Sequence, residues 1–175
     1  MGCVEPKPFS ARYAVVGPVV VMLCLVLGGC GFVSNATRSD TARAKVGDCI
    51  GVVAGNTLDT QTQPVDCGSP DTVYRVRSAT ANKQDCGPEY SSYQETFRGG
   101  TTAYLCLIPD LKPGGCYHQD TVSGFAHADC DSVDATARVV KRVDGSSDPG
   151  LCDPTGTYVT LKDPPTTFCL VNPRG

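Results

Sequence analysis

The chain has 175 residues, a formal net charge of −3, 11 cysteines, 7 tyrosines and no tryptophan. A mildly acidic balance excludes a general nucleic-acid binder, which needs a cationic surface to face phosphate. The length fits one domain or two very small ones, and the scarcity of large aromatics limits the core that such a chain can build.

Residues 1–29 read as a secretory signal. Lys7 and Arg12 make a basic front, and the run from Ala14 to Leu27 is almost wholly apolar. Small residues follow, as a signal cleavage site requires, and the run falls short of the ~20 apolar residues of a spanning helix. Leu27-Gly28-Gly29-Cys30 resembles a bacterial lipobox, which implies cleavage before Cys30 and a diacylglycerol thioether on its sulfur. Small side chains admit the peptidase, and the thiol is the nucleophile that takes the lipid. The start Met1-Gly2-Cys3 is not a myristoylation site, because Pro6 stands where that pattern wants Ser or Thr. With Cys3 and Cys24 leaving and Cys30 lipidated, the odd cysteine count becomes an even eight: Cys49, Cys67, Cys86, Cys106, Cys116, Cys130, Cys152 and Cys169.

Residues 30–45 are the lipidated cysteine and a polar stretch without apolar periodicity, expected to form a flexible tether. The sequon Asn35-Ala36-Thr37 presumes a eukaryotic route and carries no weight beside a lipobox. Without Lys7, Arg12 and Glu5 the mature chain keeps 13 basic and 17 acidic residues, an ordinary solubility charge of about −4.

From Val46 onward the chain repeats itself. Gly47-Asp48-Cys49 answers Gly114-Gly115-Cys116, and "VDCGSPDTVYRV" (65–76) answers "ADCDSVDATARV" (128–139). "CGPEYSSY" (86–93) answers "CDPTGTY" (152–158), and "YLCLIP" (104–109) answers "FCLVNP" (168–173). Each half, 46–110 and 111–175, holds four cysteines in the same order. A period of about 65 residues indicates duplication of a small unit rather than a solenoid. "GDCIGVV" reads as a short strand. "TVYRVRSA" alternates, with Tyr74 and Val76 facing one way and Arg75 and Arg77 the other, and Ala137 and Val139 take the inward places in the second copy. "AYLCLI" and "TFCLV" read as buried strands with Cys inward, while "PEYSSYQETF" has weak helical character. The expected fold is α+β, mostly β: two tandem pseudo-symmetric repeats stapled by four disulfides. Eight cysteines allow 105 pairings. Duplication favours bonds within each half, and short connections favour neighbours: Cys49–Cys67, Cys86–Cys106, Cys116–Cys130 and Cys152–Cys169.

The lipobox, the "VGDC" opening, the Asp-Cys-x-Ser-x-Asp strand entry with its Arg-Val, and the closing "LCL" resemble the LppU-type lipoproteins of actinobacteria. "DATARVVKRVDGSSDPGLCD" (134–153) carries much of this likeness. A more distant one is to septum-formation domains with a Cys-x-x-Pro-His pattern; here Asp71 follows Pro70 in place of His. The resemblance implies a lipoprotein outside the cytoplasmic membrane and supplies no catalytic residues.

Searching for chemistry yields little. His118 and His127, with Asp120 and Asp129, repeat His-x-Asp, but the histidines lack counterparts in the first half and read as surface residues in a loop and a strand rather than metal ligands. No Cys-x-x-Cys, nucleophile elbow, Ser-x-x-Lys, zincin or phosphate-loop pattern is present. Arg75, Arg77, Arg138, Lys141 and Arg142 fall on the paired repeat strands and could line a basic face for anionic lipid heads or wall polymer. The expectation is thus a non-catalytic envelope lipoprotein, without cofactor, held to the membrane by its N-terminal lipid, whose duplicated domain binds an envelope or division-related partner. The alternative is a carrier or receptor for a small or lipid ligand held between the repeats.

Overall fold

A computed structural model of the chain describes residues 38–53, 61–120 and 124–175. The signal segment 1–29, the lipidation site Cys30 and tether residues up to 37 lie outside the described residues.

The first half forms β1 (Cys49–Val53), β2 (Gln61–Val65), β3 (Thr72–Thr80), β4 (Ser91–Phe97) and β5 (Gly100–Pro109). The second forms β6 (Cys116–Asp120), β7 (Gly124–Ala128), β8 (Ala137–Asp144), β9 (Thr157–Lys162) and β10 (Pro165–Val171). In space the first five run β2-β1-β3-β5-β4 and the second five β7-β6-β8-β10-β9, so each strand has its counterpart five places on. Every pairing within a half is antiparallel, and one parallel bridge, Val53 with His127, links the two sheets.

The only helical pieces among the described residues are two 3₁₀ turns, Thr41–Arg43 and Pro149–Leu151, so the fold is β and the α component expected of residues 88–97 is corrected. Those residues supply β4, paired along β5 from Ser91–Leu107 to Phe97–Gly100. Their exposure alternates with period two, turning Tyr93 inward and Ser92 and Gln94 outward. The β-forming Tyr, Thr and Phe and the hydrogen-bonding edge of β5 decide against the weak helical pattern.

The repeated motifs turn out to be turn chemistry. Asp66 Oδ1 accepts from the Gly68 amide at 2.7 Å and Ser69 Oγ from the Asp71 amide at 3.1 Å. Asp129 and Ser132 do the same for Asp131 and Asp134, at 3.0 and 3.1 Å. These side-chain turns reverse the chain into β3 and β8. The glycines before the first cysteine of each half, Gly47 and Gly114, adopt φ of +95° and +83°, where an L side chain is strained. Each donates to the third strand of its half, Gly47 to Val76 of β3 at 2.9 Å and Gly114 to Val139 of β8 at 2.7 Å.

The disulfides are Cys49–Cys67, Cys86–Cys106, Cys116–Cys130 and Cys152–Cys169. Two therefore occupy equivalent places in each half, one at the start of the first strand and one inside the last. Four structural disulfides belong to an oxidising, exported environment. Among the described residues no helix is long and apolar enough to cross a membrane.

The inward positions of both sheets merge into one apolar cluster. Ile50, Tyr74 and Leu105 from the first sheet meet Tyr117, Phe168 and Leu170 from the second, all at 2 % exposure or less. The segment 38–45 is also part of the fold, which corrects its reading as a flexible tether. Thr41, Ala42 and Ala44 are buried, and Thr41 Oγ1 donates to the Thr62 carbonyl at 2.9 Å. Small apolar side chains and two hydroxyls suffice to seat a segment that lacks helical periodicity.

Candidate functional site

Between the two sheets lies a half-open cleft of about 570 Å³. Val52, Tyr74 and Leu107 of the first sheet and Phe125 and Val159 of the second form its apolar surface. The approach to β4 and β4 itself (Pro88 to Tyr93) contribute one wall, and Thr62, Pro109 and Gly124 complete it. The volume lies within the ~300–1,000 Å³ of small-molecule sites.

Hydrogen bonds across the halves hold this shape. The buried Tyr74 hydroxyl accepts from the Phe125 amide at 2.7 Å and from Ser91 Oγ at 3.2 Å. Gly124 has φ of +77°, and a Cβ there would sit 2.5 Å from that hydroxyl, so both conformation and space demand glycine. At the far wall Tyr90 donates to the Asp163 carbonyl at 2.5 Å, and Arg77 pairs with the Asp163 carboxylate at 2.6 Å. Glu89 accepts from the Lys162 amide at 2.9 Å and faces its ammonium at 3.4 Å.

The N-terminal segment seats on the same wall. Ser39 Oγ and the Tyr93 hydroxyl lie 3.0 Å apart, and the Ser39 amide donates to Glu95 Oε2 at 3.1 Å. Burial pushes the Tyr93 phenol above its usual range. Burial acts upward on Glu95 too, but hydrogen bonds from Ser39, Tyr93 and Thr102 outweigh it and hold the carboxyl below the usual carboxylate range.

A second feature is Asp110, where the chain crosses from one half to the other. Its side chain is 6 % exposed and meets Arg142 at 2.5 Å, Arg75 at 2.9 Å and Lys112 at 3.4 Å. Burial alone would raise this carboxyl; the Arg142 hydrogen bond and the charges of Lys112, Arg142 and Arg75 bring it below the usual range. The partner Arg142 is held protonated by Asp110 and Asp144 despite its own burial.

These contacts redistribute the five cations expected to line one basic face. Arg75 and Arg142 converge on Asp110, Arg77 reaches Asp163, and Lys141 donates to the Leu151 carbonyl at 3.0 Å. Arg138 is exposed on β8. Carboxylates and carbonyls of the fold engage four of the five. Strand alternation places such residues outward but cannot show what the other half brings to them.

The histidines occupy adjacent strands, paired at Tyr117–His127 and His118–Ala126. His118 Nδ1 lies 2.9 Å from the Asp134 carbonyl, and His127 Nδ1 lies 3.7 Å from Asp71 Oδ1. His118, expected in a loop, is in β6. Among the described residues no group of three or more His, Cys, Asp or Glu is placed to hold a metal. Asp129 is exposed after β7, and the side chain of Asp120 is outside what is described.

Sequence reasoning offered a ligand held between the repeats only as an alternative and named none of the cleft's lining residues. Its lining is scattered over Val52, Thr62, Tyr74, residues 88–93, Leu107 and residues of the second half, and no local pattern marks such a set. The available signal was the duplication itself, which implies an internal seam. No family model, no curated protein and no solved structure matches the chain.

Proposed function

We propose that this protein is a non-catalytic binding module of the cell envelope. In this reading the lipobox anchors it through Cys30 to the outer face of the cytoplasmic membrane, the two halves descend from one duplicated unit, and the seam between them holds a ligand. The cleft carries the binding reading: it is partly open, has ligand-site volume, and its walls are cross-braced by Tyr74, Tyr90 and Glu89. Pre-formed concave sites with apolar surface and a few polar groups are the usual form of small-ligand recognition.

A second reading, an envelope or division-related protein as the partner, draws on β4. This strand ends the first sheet and pairs only with β5 among the described strands, so an extended segment could add to it. A photo-crosslinking residue at Ser92, in the cleft wall, and another at Val133, exposed on the second half, separate the readings in intact cells. A small-molecule adduct formed from position 92 alone supports the cleft ligand; one reproducible protein adduct from position 92 supports the partner. Equal, nonspecific labelling from both positions removes the site. Cys30→Ala, followed by membrane fractionation and mass analysis of the mature N-terminus, tests the anchor.

A further inference from the structure

We propose that the cleft seats an extended segment of a partner protein, added as a strand to the free edge of β4; this rests on the cleft being the binding site. The first observation is which part of β4 the cleft exposes. Ser91, Ser92 and Tyr93 are consecutive, and all three line it. Side chains of a strand alternate between its faces, so three in a row share one cleft along the strand's edge, where the main chain lies. The hydroxyls around that edge are already engaged: Tyr74 by Phe125, Tyr90 by Asp163, Tyr93 by Ser39 and Thr62 by Thr41. The β4 main chain is not. Alternate residues of an antiparallel strand direct N–H and C=O away from their neighbour, and β4 has only β5 beside it among the described strands. Among the described residues, the one side chain bonded to a β4 main-chain group is Thr102, whose hydroxyl donates to the Glu95 carbonyl at 3.3 Å.

The second observation is that this edge lacks the usual guards. Natural sheets protect their outer strands with proline, lysine or a bulge. β2 carries Pro64, and β9, whose Val159 lines the cleft, ends in Lys162 with its side chain 84 % exposed. Residues 91–95 include no lysine, arginine or proline, and their register with β5 shifts only between Glu95 and Thr96. That stretch offers roughly 17 Å of strand for pairing.

The third observation is charge, and it sets the chemistry of the occupant. The groups bonded to the Glu95 carboxylate are all neutral: the Ser39 amide and the hydroxyls of Tyr93 and Thr102. Glu95 therefore presents a negative charge without a cation, on the same half-buried side of β4 as Ser91 and Tyr93. A strand pairing antiparallel with β4, as every neighbour within a half does, sets alternate side chains opposite Ser91, Tyr93 and Glu95. The half-buried Tyr93 and Val159 are the apolar surface within its reach. The segment that fits has apolar side chains opposite Ser91 and Tyr93 and a lysine or arginine opposite Glu95. A carboxylate at that last place is repelled.

The test titrates the mature full-length protein, in vesicles of neutral phosphatidylcholine, with the end-blocked peptide Thr-Lys-Thr-Val-Thr-Val-Thr. Run antiparallel to β4, it sets Lys opposite Glu95 and the two Val opposite Tyr93 and Ser91. Anisotropy of a labelled peptide reads affinity, and hydrogen exchange at residues 91–95 reads pairing. Two further peptides carry N-methyl groups, one on the Lys and Val amides and one on the Thr amides, so that each blocks one edge of the added strand. The expected result is saturable binding, slowed exchange at 91–95, and a loss of about tenfold or more from one methylated peptide with little from the other. Exchanging Lys for Glu should weaken binding about fivefold, and Glu95→Gln should remove that difference. Equal affinity of the Lys and Glu peptides for the unmodified protein overturns the charge preference. If both methylated peptides bind like the parent, or exchange at 91–95 is unchanged, strand addition is overturned while a cleft that takes side chains stands. If no peptide binds, strand addition is overturned as well, and the Ser92 crosslink in intact cells then decides the cleft reading separately.

Discussion

Asp110 concentrates the electrostatics of this fold in one residue. Its two oxygens meet Arg142 of the second half and Arg75 and Lys112 of the first and the crossover. Removing one partner from a buried ion pair typically costs ~3–5 kcal/mol because the remaining charge is left desolvated. Arg75 and Lys112 keep part of their solvation, so Asp110→Ala is expected to cost about 3 kcal/mol, at the lower end of that range. Its folded carboxyl is held below the usual range, so its contribution is complete above the unfolded value of ~3.9 and is lost as pH falls through the folded value. Denaturant titrations between pH 7 and pH 2 check this. The wild-type protein should lose more stability in the acid part of the series than Asp110→Asn, and equal losses would remove Asp110 as the cause. Nothing in the local sequence hints at this residue: an aspartate after a strand-ending proline looks like a solvated turn, and its arginine partners lie 35 residues before it and 32 after it.

At the level of elements, strands announced themselves where sequence alternates or runs apolar between motifs. Tyr74, Val76, Ala137 and Val139 are buried as their alternation requires. Cys106 and Cys169 are buried too, but the apolar cluster takes their neighbours Leu105, Leu107, Phe168 and Leu170, so the cysteines lie on the other face of β5 and β10. Other strands were silent, β9 (Thr157–Lys162) among them. β2 carries Gln61, Gln63 and Pro64 and survives as an outer strand, where the missing amide of proline is tolerated. β6 and β7 are short and polar in places, and pairing rather than propensity defines them. Such thin elements depend on their staples. The disulfides close loops of 14 to 20 residues, each expected to contribute about 3 kcal/mol in the chain-entropy account. Replacing any one pair by alanines should lower stability by about 2–4 kcal/mol, with little dependence on which loop is opened. Full reduction should abolish the cooperative transition. Calorimetry on the four double variants and on reduced protein measures both effects, and a reduced sample that melts like the oxidised one contradicts the account.

The whole molecule is more integrated than its duplicated sequence suggests. Strand order, turn chemistry and disulfide position recur in both halves, which is why the repeat was readable from cysteines and Asp-Ser turns alone. The packing between halves does not recur. Tyr74 answers Ala137 in the repeat, yet only Tyr74 reaches across, to the Phe125 amide. Asp110 has no carboxylate counterpart at the end of the second half, where Pro173 and Arg174 stand. A duplicated unit that later specialised its two copies would leave this pattern: common scaffold, asymmetric seam. The seam also contains the apolar cluster, since Ile50, Tyr74 and Leu105 lose their covering when Tyr117, Phe168 and Leu170 are absent. Burying a large apolar side chain contributes ~1.5–3 kcal/mol, and a 70-residue piece deprived of several such contacts has little stability in reserve. Residues 38–110 expressed alone, with both disulfides formed, should therefore lack dispersed amide resonances and a cooperative melt. The same piece mixed with residues 111–175 should recover them if the seam supplies the missing core. A folded, cooperatively melting 38–110 fragment would instead make each half a domain in its own right, and the cleft would become a hinge between two independent bodies rather than a site built into one core.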